Sequence, residues 1–435
     1  MKVVGMISLG CCKNLTDSEN ILAVLKTDEI VFSNRIGDCD LIIINTCGFI
    51  DSAKQEAMDT INECYNKKKA SGKILVCGCF AKRYKEKLEN EFRDKIDAIV
   101  SIKDYETINQ TIASLLDIKC ENKFNHVDKL YLTDSNFAYV KVAEGCRNNC
   151  SYCAIPLIRG TLVSFPKEEI IKEVENAIKV SRKEIVLIAQ DTTAYGYDLY
   201  PDYRIHNLIE DVLKVDGVES VRLLYLYPDE VSDELIDLFS REKRLIPYFD
   251  LPLQHVSDKI LLDMNRRGSK EEIINLMSKI RSKVQDSIIR TTFIVGYPGE
   301  SEEDFNELYD FINEVKFDHL GAFTYSREED TKSYDFDNQI EEKVKKARYR
   351  KIMMAQKKIS RAKNKNRVGE VHTGLVIDYD YLKNVYYLRS HFNAPDDIDG
   401  SIIFKSDIPL EEGQIVKVLI TGYDSYNLYG DLIEK

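Results

Sequence analysis

The sequence predicts an α/β protein in three parts. An N-terminal doubly wound parallel-sheet domain is expected over residues 1–120, a central partial (β/α)6 barrel over 136–335, and a small C-terminal β-barrel of OB-like type over 368–435. A basic linker helix over 340–367 joins the last two. Three observations predict this. Short apolar runs alternate with amphipathic helical segments through the first 120 residues. A β/α unit then repeats along the central segment. From His372 onward the pattern changes to short alternating strands separated by turns.

In the first part, KVVGMISLG, DLIIINTC, KILVCGC and DAIVSI are the strands. The helices after them are TDSENILAVLKT, DSAKQEAMDTINECYNKKKA, AKRYKEKLENEF and DYETINQTIASLLD. The central strands are NFAYVKVAEG, EIVLIAQDT, VESVRLLYLYP, YFDLPLQ, IIRTTFIVGYP and DHLGAFTYS. Six strands suit a partial barrel better than a closed eight-stranded one. The C-terminal strands are HTGLVIDYD, NVYYLRSH, SIIFKSD, GQIVKVLITGYD and YNLYGDLI.

Composition narrows the function. Lys and Arg number 61 against 73 Asp and Glu, a net charge of −12. That balance argues against general nucleic-acid binding. No apolar run is long enough to span a membrane, so no membrane partner is expected. The opening MKVVGMISLG lacks a small-residue cleavage signal and suits a first strand better than a signal peptide. Eleven cysteines point to metal ligation in a reducing cytosol, hence a cytoplasmic protein, rather than a disulfide framework.

Two cysteine sets carry the chemistry. Cys146, Cys150 and Cys153 stand in EGCRNNCSYCAIPLIRG with C-x-x-x-C-x-x-C spacing. Thiolates hold iron–sulfur clusters, four to a cubane, so three leave one iron open to a small molecule. A zinc knuckle would need a fourth Cys or His close by, and the next histidine is His206. Cys11, Cys47 and Cys79 follow the first, second and third strands. Ligand sites in doubly wound sheets form beyond the carboxyl ends of strands, so these three would meet at one edge. Spacing alone leaves Cys12 and Cys77 as substitutes, and buried structural thiols remain the plainer alternative for any one cysteine. Cys39, Cys64 and Cys120 have no such placement and are read as structural.

Barrel chemistry sits at the carboxyl ends of strands. Gln190, Asp191, Gln254, His255, Arg290, Thr291 and Thr292 are therefore candidates to hold cofactor or substrate. The turn GYPGE needs no phosphate role, since a strand-to-helix turn accounts for it.

The segment EGCRNNCSYCAIPLIRG resembles the radical S-adenosylmethionine (SAM) enzymes. Together with SLGCCKNLTDSE, INTCGFIDSAKQEA and VCGCFAKRY, it resembles the methylthiotransferase family. The resemblance implies two 4Fe–4S clusters, an auxiliary one on Cys11, Cys47 and Cys79 and a catalytic one on Cys146, Cys150 and Cys153. It implies SAM as both methyl donor and radical source, with Tyr152 near the adenine; of the strand-end residues named above, Gln190, Gln254 and Thr292 are the expected cofactor contacts. Cys12 and Cys77 fall where the family pattern commonly has other residues, and neither is carried over as a ligand. Basic residues common after the IRG segment are replaced by Val163 and Phe165, so no substrate-phosphate role is assigned there. The C-terminal barrel resembles a TRAM domain.

That family has two branches. One modifies an adenosine in tRNA. The other methylthiolates the β-carbon of an aspartate in small-subunit ribosomal protein twelve. The segments AQDTTAYGYDLY, RLLYLYPDE, YFDLPLQHVSDKILLDMNRRGS and FTYSREEDT resemble the second branch. From 372 to 435 the chain has five basic and eleven acidic residues, which suits a basic protein partner. Between 343 and 367 it carries twelve Lys or Arg and no acid. That run reads as a solvated linker helix or as a contact for RNA phosphates. A sulfur donor and an electron donor are implied partners, their identities open. The contrasting class, a non-catalytic iron–sulfur scaffold or electron carrier, usually completes its clusters with four thiolates.

Overall fold

Five parallel strands open the chain in a computed structural model that describes residues 1–133, 137–395 and 398–434. They are β1 (Lys2–Ser8), β2 (Ile30–Phe32), β3 (Leu41–Thr46), β4 (Lys73–Cys77) and β5 (Ala98–Ser101). Their order is β2-β1-β3-β4-β5. Alternation along β3 shows why helices cover both faces. Leu41 and Ile43 pack with Ile21, Ile108 and Ile112, whereas Ile42 and Ile44 pack with Ala57, Ile61 and Phe80. Strand order reverses between β1 and β3, and a crevice opens beyond the carboxyl ends at such a switch point.

Three local features differ from the sequence reading. The edge strand β2 is only three residues long, with two of them exposed, too short to show a period. The first helix spans Cys12–Val24 rather than starting at Thr16. Gly10, at φ +88°, turns the chain directly into it, and Cys11 becomes its N-cap. The third helix breaks at Tyr84 into Gly78–Arg83 and Lys85–Glu91, so Cys79 lies within a first helical turn rather than at a strand end.

The central part contains β6 (Phe137–Lys141), β7 (Ala143–Glu144), β8 (Val163–Ser164), β9 (Glu184–Ile188), β10 (Ser220–Leu223), β11 (Tyr248–Gln254), β12 (Ile288–Val295) and β13 (His319–Thr324). The expected start of this part at 136 lies outside the described residues. Six of these strands run parallel in two sheets, β10-β9-β6 and β11-β12-β13. Between β10 and β11 the seam is joined by a parallel bridge between Val221 and Leu245 and by the Leu226 N–H donating to the Asp250 carbonyl at 2.9 Å. The result is the partial barrel, with Val140, Leu187, Leu223, Leu251 and Phe293 in its core.

The helix Glu342–Asn366 runs down the outside and contributes Ile352 and Ile359 to that core. It leads to β14 (Val371–Asp380), β15 (Val385–Ser390), β16 (Ile402–Lys405), β17 (Ile415–Tyr423) and β18 (Leu428–Glu434), a closed barrel ordered β14-β15-β16-β18-β17. Closure leaves no free sheet edge. The expected last residue, Lys435, lies outside the described residues. This module seats on the amino-terminal ends of the larger barrel's strands. Glu184, the first residue of β9, meets Arg389 of β15, and Phe392 and Ala394 pack with Tyr248 and Ile288. Among the described residues no helix is long and apolar enough to cross a membrane.

Candidate active site

The segment after β7 holds Cys146, Cys150 and Cys153, and the helix Ile155–Arg159 follows at once. The backbone N–H of Cys153 donates to the carbonyl of Cys150 at 3.1 Å, which curls the loop. The Cys153 Sγ accepts the backbone N–H of Ile155 at 3.4 Å. The Cys150 Sγ lies 3.9 Å from both Tyr227 Oη and Arg266 Nη1. Polar groups thus surround the Cys150 and Cys153 sulfurs. As free thiols, Cys146 is pushed up to about 11 and Cys153 to about 12 by burial. A coordinating metal would remove those protons outright.

The N-terminal domain contributes the other set. A Cβ at Gly10 would stand 2.7 Å from Cys47 Cβ and 3.0 Å from its Sγ, so the turn after β1 touches the cysteine after β3. Cys79 donates through Sγ to Asn14 Oδ1 at 3.3 Å. Asn14 in turn donates to the carbonyls of Leu9 and Thr46, at 3.0 and 3.1 Å, which ties the ends of β1 and β3 together. Burial pushes the Cys79 thiol up to about 12 against the pull of Arg159. Cys11 lies at the exposed mouth. Partial desolvation of the thiol at this surface position raises its pKa, but Lys13, Arg159 and nearby backbone N–H groups bring it below the ordinary thiol value. Cys12 and Cys77 face elsewhere. Cys77 is buried in the sheet core, and Cys12 packs toward Tyr225, its Sγ 3.4 Å from that hydroxyl.

Among the described residues, no three His, Cys, Asp or Glu side chains converge tightly enough for one metal ion. A multi-iron cluster takes one thiolate per iron, so its ligands need not crowd one point. Three thiols in one loop, and three more at a sheet switch point, fit that demand.

A buried ionic cluster lies between the two sets. Arg159, on the helix that follows Cys153, donates to Glu144 at 2.8 Å, Asp17 at 3.0 Å, Asn14 at 2.6 Å and the Cys79 Sγ at 3.4 Å. Lys141 of β6 donates to Asp17 at 2.5 Å and Glu144 at 2.6 Å. Two cations thus neutralise two carboxylates where the N-terminal domain meets the barrel. Burial opposes ionisation of Glu144, yet Lys141 and Arg159 hold its carboxyl well below the usual range. A second junction forms at Glu328, which pairs with Lys54 and Arg83 at 3.0 Å each. Sequence reading missed these residues because each is an ordinary charge until its partner is known. One signal was available, since Asn14 and Asp17 sit three apart on a helix and so share a face.

The structure separates the rim candidates. Tyr152 packs with Tyr297 and Tyr325, and its hydroxyl accepts from Arg266 at 3.3 Å. Gln190 donates to Glu144 at 3.0 Å, while its buried Oε1 has no partner among the described residues. Gln254 ends β11 at a bulge, with φ +69°. Thr292 is half-buried on β12 beside Gly321. Others already have protein partners, although the buried His255 Nε2 has none among the described residues. Asp191 accepts from Asn148, Thr193 and Ala194, and His255 Nδ1 accepts the Ser257 N–H at 3.0 Å. Thr291 donates to the Leu251 carbonyl at 2.8 Å. Arg290 is nearer the amino end of β12, where it binds Asp250 and Asp399 at the seat of the C-terminal module. Phe165 is buried against His126, and Val163 is exposed on β8.

Comparison with known proteins relates the parts of the chain to known families. Residues 140–312 match the radical SAM superfamily, 3–101 the uncharacterized protein family UPF0004, and 368–433 the TRAM domain. A protein of Acetivibrio thermocellus named ribosomal protein uS12 methylthiotransferase RimO is 42% identical over 100% of this chain and 99% of its own length. The chain belongs to the RimO family of methylthiotransferases. RimO proteins of Alkaliphilus oremlandii and Clostridium kluyveri are 42% and 43% identical, covering 99% and 98% of this chain and 98% and 97% of theirs. Among solved structures, the radical SAM methyltransferase TsrM of Kitasatospora setae has a TM-score of 0.53 at 11% identity, over 74% of this chain and 75% of that one. At that identity the likeness concerns fold alone. As a RimO family member the chain is a radical SAM transferase, and its α/β layout with a closed C-terminal five-stranded barrel agrees with the reading from sequence.

Proposed function

We propose that this chain transfers a methylthio group to the β-carbon of an aspartate in ribosomal protein uS12. Full-length identity of 42% to RimO proteins supports the reading most directly. The disposition of the two cysteine sets, on either side of Arg159, supports a two-cluster enzyme. In this reading Cys146, Cys150 and Cys153 hold the SAM-binding 4Fe–4S cluster, and Cys11, Cys47 and Cys79 hold the auxiliary one. When bound, the clusters supply one-electron reduction of SAM and a site for the sulfur that is transferred.

The chain's own groups orient and enclose. Tyr152, fixed by Arg266 and Tyr297, offers an aromatic face to the adenine. The unpaired Oε1 of Gln190 offers an acceptor to a donor group of SAM. Gln254 and Thr292 complete the cofactor contacts from β11 and β12. The Asp17, Lys141, Glu144 and Arg159 cluster is charge-neutral and buried, so it closes the junction to water and fixes the separation of the two sets. The acidic C-terminal barrel attracts a basic protein substrate. A reducing compartment suits eleven free thiols, and we place the enzyme in the cytoplasm.

The test is anaerobic reconstitution with iron, sulfide, SAM and a reductant, with uS12 and unmodified tRNA in separate reactions analysed by mass spectrometry. A methylthio mass gain on one uS12 aspartate is expected. Methylthioadenosine in the tRNA with unmodified uS12 would move the chain to the tRNA-modifying branch.

A further inference from the structure

Helix Glu342–Asn366 carries a feature that the uS12 reaction does not use. Lys343, Lys346, Arg350, Lys357, Arg361 and Lys365 are all exposed, and none forms an ion pair among the described residues. At about 100° per residue these six fall within an arc of roughly 100° on one side of the helix. At 1.5 Å per residue the stripe is about 33 Å long. The opposite face is consumed by folding. Ile352 and Ile359 enter the barrel core, Arg348 pairs with Glu300, and Lys363 with Asp318. Lys345, Arg348 and Lys363 thus have carboxylate partners, whereas the outward row has none among the described residues, only Lys357 and Arg361 approaching the rings of Tyr426 and Tyr423.

The stripe also has a defined position. Lys345 donates to the carbonyl of Tyr325, just past the carboxyl end of β13, and Lys363 binds Asp318, just before its start. The helix therefore runs antiparallel to β13, from the rim of the barrel to its base. Tyr325 packs in the same group as Tyr152, next to Cys153. The Lys343–Arg350 end of the stripe is therefore at the rim end of the barrel, the end that carries the candidate active site.

We infer that this stripe docks the phosphodiester backbone of ribosomal RNA, and that the preferred substrate is uS12 within its RNA-bound subunit. The inference rests on the uS12 reading and deepens it. Phosphates are the ligand that an extended row of cations without carboxylate partners fits, each contact releasing counterions. The chain as a whole is acidic, at −12, so a local row of one sign is not a consequence of composition. A ribonucleoprotein presents both signs, with a basic protein for the acidic C-terminal barrel and RNA for the cationic helix. A lipid surface suits the stripe less well, because Ile352 and Ile359 are turned into the core rather than outward.

The experiment compares the wild-type holoenzyme with a triple variant, Lys343→Glu, Lys346→Glu and Arg350→Glu, and with the milder Lys→Gln, Arg→Gln set. Affinity for purified small ribosomal subunits lacking the modification is measured across a potassium chloride series. Methylthiolation rates are measured on free uS12 and on those subunits. Each lost phosphate contact lowers the slope of log affinity against log salt by about 0.7–0.9. The Glu variant is expected to lose about two units of slope and about tenfold or more in kcat/KM on subunits, while free uS12 is modified at the wild-type rate. The Gln set is expected to fall between. Unchanged affinity and slope in both variants would overturn the inference, as would equal losses on free uS12 and subunits. Salt-dependent binding to anionic phosphatidylglycerol vesicles that exceeds binding to subunits would overturn it in favour of a membrane. Wild-type enzyme that modifies neither form of uS12 would instead sink the uS12 reading itself, a result distinguishable from failure of docking.

Discussion

Arg159 and Cys79 are 80 residues apart in the chain, yet the Arg159 Nη2 lies 3.4 Å from the Cys79 Sγ. The same nitrogen reaches Asn14 and Asp17. Arg159 belongs to the short helix that starts two residues after Cys153. One side chain therefore links the loop of the first cysteine set to the helix and crevice of the second. The guanidinium fork suits this task, because its donors serve several acceptors in fixed directions.

Cys146→Ala removes one thiol of a set in which no neighbouring Cys or His can replace it. The purified, reconstituted variant is expected to hold about half the wild-type iron and to form no 5′-deoxyadenosine from SAM. Iron analysis and chromatography of the SAM products check both outcomes.

Loss of Cys47 or Cys79 should behave differently. The variant keeps the SAM-binding loop and is expected to release deoxyadenosine uncoupled from product, with no methylthio gain on uS12. Normal product from the Cys47→Ala protein would defeat the assignment of the auxiliary set.

Arg159→Ala leaves Asp17 and Glu144 sharing one cation, Lys141, in a buried site. Breaking a buried ionic arrangement by removing one partner costs about 3–5 kcal/mol. The first thermal transition is expected to fall by several degrees, with Arg159→Lys intermediate because the charge returns without the fork. An unchanged transition in Arg159→Ala would show that the cluster does not hold the domains together.

Glu184 sets the acid limit of the C-terminal junction. Burial raises its pKa, but Arg389 and Arg222 outweigh that and hold it at about 2. An unfolded glutamate titrates near about 4.3. The unfolded state binds the proton first, so the stabilisation is complete above about 4.3 and is lost as pH falls toward 2. Glu184→Gln should remove this part of the acid dependence. Thermal scans of both proteins between pH 6 and pH 3 read the difference.

Much of the fold was legible because periodicity is local. The alternation of β3, the six barrel strands and the five C-terminal strands each repeat within a few residues, so all were visible in the chain. The short strand β2 and the break at Tyr84 were not, since neither leaves a repeat. Asp191 and His255 could be placed just past strand ends, and Arg290 on a strand, from sequence. Their partners could not: Asn148 on Asp191, Ser257 on the Nδ1 of His255 and Asp399 on Arg290.

By itself, the sequence determined the chemistry on offer: six thiols in two sets, one closely spaced and one carried by the strand–helix units. Thiol chemistry and short-range spacing belong to the chain. Only the tertiary structure decided what stands between those sets. Asp17, Lys141, Glu144 and Arg159 become one neutral cluster because electrostatic pairing depends on distance in space, and the stripe on Glu342–Asn366 becomes a surface because packing consumed the opposite face.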